Sequence, residues 1–135
     1  MYRLVALGVV SLVISGCLSV PQRESGAPLS AEEVRRLFIG NTVESYNLNT
    51  RLYSFTYYFP NGQAIQERLW SKRLGRWELR DDGQICLAFN KRELKCRHII
   101  REGKRYFKIR PDASGKPEKI VRYRYFAPGN ALAKR

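Results

Sequence analysis

The sequence predicts a mainly β domain: an antiparallel meander of about eight strands, forming a small barrel or a strongly curved sheet, preceded by one short helix. Three observations carry that expectation. From Asn41 onward, apolar and polar residues alternate with the two-residue period of half-buried strands. Turn-forming residues recur every eight to twelve positions, so consecutive strands should be neighbours joined by short connections. Ahead of them, a single segment carries the start and stop signals of a helix.

That helix is expected at about Ala31 to Ile39. Ser30 is placed to cap it, and Glu33, three residues on, completes a capping box. Leu29 and Val34 fit a hydrophobic staple, and Glu32 and Glu33 suit the positive end of the helix dipole. Val34, Leu37 and Phe38 make one apolar face, and Gly40 suits the position after the cap. A helix this short must pack on something to be stable.

Strands are expected at 42–46, 51–59, 63–70, 75–80, 84–90, 94–100, 105–110 and 118–126. Pro60-Asn61-Gly62 gives the strongest hairpin signal, with Asn-Gly suited to a type I′ turn. Asp81-Asp82-Gly83, Arg101-Glu102-Gly103-Lys104 and Asp112-Ala113-Ser114-Gly115 are the other clear turns. Three alternating sets would each face the core or a ligand: Tyr53, Phe55, Tyr57 and Phe59; Trp77 and Leu79; Ile85, Leu87 and Phe89.

The first sixteen residues have a different character. Arg3 supplies a positive charge, Leu4 to Ile14 an apolar run of eleven residues, and Ile14-Ser15-Gly16-Cys17 small residues directly before a cysteine. This resembles the lipobox of bacterial lipoproteins. The resemblance implies cleavage after Gly16, lipidation of the Cys17 thiol and acylation of the new amino terminus. A transmembrane helix needs about 20 apolar residues, and this run is shorter and contains Gly8 and Ser11. An ordinary signal peptide with an incidental cysteine is the alternative. Leu18 stands where an Asp would signal retention in the inner membrane, so the resemblance favours the outer membrane, on its periplasmic face. The chain then divides into a signal (1–16), a lipidated cysteine and flexible tether (17–28), one β-rich domain (29–128) and a frayed tail (129–135).

The formal charge is +13 over 135 residues, and loss of Arg3 leaves the mature chain near +12. The excess lies late: Lys95 to Arg124 holds eleven Lys or Arg against Glu102, Asp112 and Glu118. Such a surface attracts polyanions. In the envelope these would be acidic lipids or polymers, and export disfavours nucleic acid as the partner. Arg105, Lys108, Arg110, Arg122 and Arg124 are the candidate polyanion-binding residues, because they interleave with Tyr106, Phe107, Tyr123, Tyr125 and Phe126. The bland alternative is a β-ribbon with a charged edge that resists aggregation.

Cys86 and Cys96 lie on neighbouring strands of one expected hairpin and stand opposite each other, which predicts a disulfide on the face away from Ile85, Leu87 and Phe89. Their nine intervening residues match neither a metal-ligand spacing nor a CxxC motif. His98, the single histidine, reads as a structural residue. Glu67 and Glu78 could meet as an acid/base pair, but each is expected to pair with a neighbouring Arg on a solvated face instead. The sequence contains no glycine-rich phosphate loop, nucleophile elbow or HExxH. It therefore predicts a non-enzymatic protein with no cofactor and no metal.

The mature region also resembles a group of small exported proteins and lipoproteins of proteobacteria whose function is unknown. The features that carry it are Leu37 to Thr42, Tyr58-Phe59-Pro60-Asn61-Gly62, Gly75-Arg76-Trp77, Ile85-Cys86 and Lys95-Cys96-Arg97. The resemblance covers residues 30 to 100 and implies a fold without an activity. This chain departs from it in a shorter loop after Pro60 and a more basic end. The sequence therefore predicts an outer-membrane lipoprotein whose domain binds or scaffolds an envelope component. The rival is an exported inhibitor of an enzyme, in the manner of small lipoproteins that inhibit lysozyme. A chain this basic would need an acidic target.

Overall fold

The computed structural model describes residues 26–134. Helix α1 spans Ala31–Phe38 and starts as predicted: the Ser30 hydroxyl accepts from the Glu33 amide, and the Glu33 carboxylate accepts from the Ser30 amide. It stops because Ile39 turns to extended backbone, and the Asn41 side-chain amide donates to the freed carbonyls of Arg36 and Leu37.

Nine strands follow: β1 (Asn41–Asn47), β2 (Tyr53–Tyr58), β3 (Gln63–Arg68), β4 (Ser71–Leu79), β5 (Ile85–Phe89), β6 (Lys95–Arg97), β7 (Ile99–Glu102), β8 (Arg105–Pro111) and β9 (Pro117–Pro128). Every ladder between them is antiparallel. Their order is β6-β5-β4-β3-β2-β1-β9-β8-β7. The extra strand arises because the segment expected at 94–100 divides at His98. Its first half pairs with β5 and its second with β8. β6 and β7 occupy the two outer positions of the sheet yet are consecutive in the chain, so this bend draws the sheet into a nearly closed barrel. The His98 carbonyl accepts from Ile109 N at the seam, 3.1 Å away.

Two turn expectations need correction. At Pro60-Asn61-Gly62 only Gly62 has a positive φ (90°), and the Gly62 amide donates back to Phe59 O. Pro60 fixes the first turn residue near −65°, which rules out type I′ and gives a type I turn closed by a left-handed glycine. The β3–β4 connection is a two-residue turn at Leu69-Trp70, with Arg68 opposite Ser71, rather than a loop over 71–74. It carries no glycine, proline or asparagine, which is why the pattern missed it.

The core lies toward one end of the barrel, where α1 plugs it. Phe38, with no exposed surface, meets Tyr58, Tyr123 and Phe126 edge-on at 5.0–5.4 Å between centroids. Val34, Val43, Trp77, Ile85 and Ile99 complete the plug. Trp77 and Leu79, and Ile85, Leu87 and Phe89, belong to this interior as expected. Tyr53, Phe55, Tyr57 and Phe59 take the opposite face from the buried Thr56 and Tyr58, so that set lies on the outside of the barrel. Register decides this: Thr56 pairs with Gln66 and Tyr58 with Ala64, all buried.

The chain outside the sheet is also docked. Gly26 N donates to Arg101 O and Leu29 N to Ile99 O, so the last residues of the expected tether run along β7. A 3-10 turn (Ala131–Lys134) follows β9. The Thr42 hydroxyl donates to Gly129 O and accepts from Ala131 N, and Leu132 is buried.

Candidate functional site

Away from α1, the barrel interior changes from aromatic to polar and cationic. The parity that sends Trp77 inward also sends Arg73 inward along β4. Arg73 Nε donates to Gln66 Oε1 (2.8 Å), and Gln66 Nε2 donates to Thr56 Oγ1 (2.9 Å), which gives a polar ladder across β4, β3 and β2. The Arg73 guanidinium lies 4.0 Å above the Phe89 ring. Gly75 makes room for that ring, since a Cβ there would stand 2.5 Å from it. Burial lowers the Arg73 pKa, and the neighbouring charges of Arg68 and Arg92 lower it further.

Across the barrel, Lys108 stands on the strand pair that closes the seam, opposite Ile99 and Val121. Burial, aided by the positive charge of Arg97, pushes its ammonium pKa down to about 8. Among the described residues, Arg68, Arg73, Arg92, Arg97 and Lys108 form no ion pair with a carboxylate. Arg68 and Arg92 near Arg73, and Arg97 near Lys108, place like charges side by side, which is electrostatically unfavourable for the empty fold and favourable for an anionic ligand.

The rim at this end is formed by the β1–β2 and β3–β4 turns. Leu52, Arg68, Leu69, Trp70 and Ser71 line a cleft of about 320 Å3 there. Leu69 holds a φ of 45°, a region costly for a side chain with a Cβ.

The sequence-predicted residues do not form one site. Lys108 faces inward, whereas Arg122 and Arg124 stand outside β9. Arg122 lies over the Tyr46 ring at 5.2 Å, and Arg124 lies over Tyr53 at 5.6 Å. Arg124 also donates to the Tyr53 hydroxyl (3.2 Å) and pairs with Glu44 (3.8 Å). Arg110 is bound to Glu118 at 3.4 Å, and the exposed Arg105 begins β8 at the α1 end. Cys17 lies outside the described residues. Cys86 and Cys96 are cross-strand partners joined by a disulfide, with Arg80 Nε 3.4 Å from the Cys86 sulfur.

Glu67 and Glu78 stand at opposite ends of the β3–β4 hairpin, paired with Lys72 and Arg80, so they are not a catalytic dyad. Half-buried His98 lies 3.8 Å from Asp82. The sequence reasoning missed Arg73 and Gln66, although their parity with inward Trp77 and Ala64 was available. It also missed Trp70, which lacked any turn signal. No protein-family model and no curated protein matched the chain.

Proposed function

We propose that this protein is a lipid-anchored lipoprotein of the bacterial outer membrane whose basic β-barrel is a non-catalytic binding module for an anionic envelope component. The binding role rests on one observation: Arg73, with Arg68 and Arg92 near it, and Lys108, with Arg97 near it, form no ion pair with a carboxylate among the described residues. The address rests on Ile14-Ser15-Gly16-Cys17 behind an apolar run. The Cys86–Cys96 disulfide is in keeping with an oxidising compartment. Two or three acyl chains, at about 0.8 kcal/mol per buried methylene, would hold the domain on the membrane stably.

The test is the intact mass of the protein recovered from membranes of its host, for the wild type and Cys17→Ala. The expected product starts at Cys17, carries acyl chains and is missing in the variant. A soluble chain that retains Met1 would overturn the address.

A further inference from the structure

Of the six large apolar side chains most exposed among the described residues, five lie on or beside β2–β4: Trp70 is 99% exposed, Leu74 71%, Leu69 65%, Leu52 43% and Tyr53 41%, while the sixth, Tyr125 (60%), lies on β9. Continuing the β2–β3 register past Phe55–Glu67 places Tyr53 opposite Leu69 and Leu52 opposite Trp70, so the tips of two adjacent turns make one patch. β3 and β4 are inner strands of the sheet, so this tip is not a free edge awaiting another strand. A two-residue hairpin turn ordinarily takes Asn-Gly or Gly at the positive φ. This chain holds Leu69 at 45° there and Trp70 beside it, which sacrifices local stability to present two large apolar groups.

The surroundings are basic. Arg51, Arg68 and Lys72 are exposed around the patch, with Arg73 and Arg92 just behind it. Of the acids near it, Glu67 lies 3.9 Å from Lys72 and the exposed Glu93 follows Arg92 in the chain, so cations outnumber acids here. Protruding Trp and Leu inside a ring of Arg and Lys match a lipid interface, where indole sits at headgroup level and guanidinium pairs with phosphate.

We infer that the rim formed by Leu52, Leu69 and Trp70, with Arg51, Arg68 and Lys72 around it, docks on an anionic lipid bilayer. This deepens the proposal above by naming the anionic component. The rim lies at the far end of the barrel from Gly26, where the described chain begins, so the docking makes a second membrane contact distinct from the Cys17 anchor.

Residues 26–134 hold the helix, the nine strands and the 3-10 turn described above, so the experiment uses the chain from Leu18, which has neither signal nor Cys17. It is mixed with vesicles of equal parts phosphatidylglycerol and phosphatidylcholine, and with pure phosphatidylcholine. Tryptophan emission should shift to the blue on the anionic vesicles only, be quenched by lipids brominated along the chains, and return as salt is added. Trp70→Ala, which leaves only the buried Trp77 and is therefore read by co-sedimentation with the vesicles, should lower the partition coefficient by about tenfold. Leu69→Gly, which relieves the backbone while removing the side chain, should also weaken it, so the loss cannot be a folding defect.

Four results would overturn the inference. They are no emission shift, equal binding to both vesicle types, and equal binding by wild type and variants. The fourth is a concentration-dependent shift without lipid, which would make the rim a contact between copies of the chain. Because the tested chain lacks Cys17, failure here leaves the lipoprotein reading intact, and failure of the mass test leaves this one intact.

Discussion

The two ends of the barrel are built on opposite principles. At the α1 end, Phe38, Tyr58, Tyr123 and Phe126 stack edge to face, and Val34 and Ile99 have no exposed surface. Every strand except β6 contributes apolar groups there, and the helix seals them from water. At the open end the same strands contribute Thr56, Gln66, Arg73 and Lys108, and the turns expose Leu69 and Trp70. One end is optimised for stability. The other carries like charges, a strained turn residue and solvated apolar groups, each unfavourable for folding by itself. The contrast teaches where to look for function, since unfavourable features persist only when something else retains them.

The largest expected effect breaks the stable end. Phe38→Ala should lower unfolding free energy by about 3–5 kcal/mol, read as the urea midpoint with an unchanged slope. Three ring contacts vanish and a sealed cavity remains. A loss under about 1 kcal/mol would mean that α1 is an accessory to the barrel rather than its plug.

The second effect has the opposite sign and belongs to the open end. Folding depresses the Lys108 pKa from 10.5 to about 8, so between those values the unfolded chain binds more protons. The penalty is present in full below about pH 8 and is relieved as pH rises toward 10.5. Stability should therefore climb across this window, and Lys108→Met should flatten the Lys108 part of the climb while stabilising the protein at pH 7 by about 1–2 kcal/mol. Parallel pH profiles for wild type and variant would show that Lys108 lies in water and that the interior is not a cation site.

The smallest effect sharpens the comparison at the rim. Leu69→Gly should raise stability by about 1 kcal/mol, measured by urea unfolding without lipid, since only glycine tolerates a φ of 45° freely. A destabilised Leu69→Gly would mean that this leucine packs within the fold, and the idea of a functional tip would then lose its support.

The helix was fully legible because its signals are local. Ser30, Glu33 and Gly40 act within a few residues of where they stand. The disulfide was legible for a related reason, since Cys86 and Cys96 face each other across a single hairpin. The β3–β4 turn was not, because Leu69 and Trp70 resemble strand residues and are forced to turn by the pairings on either side. The outward position of Tyr53, Phe55, Tyr57 and Phe59 was equally hidden. Alternation shows that two faces differ, but neighbouring strands decide which one is buried.

By itself, the sequence determined the class of fold, the helix with its caps, the cysteine pair, the strongly basic charge and the expectation of a lipid anchor. These follow from short-range chemistry and composition. Only the tertiary structure decided that a strand bends at His98 to bring the two outer edges of the sheet together. Only it divided the basic residues into an inward group around Arg73 and Lys108 and an outward group around Arg122 and Arg124. Barrel closure sets which side of each strand is interior, and that side depends on pairings between residues as far apart as Asn41 and Pro128.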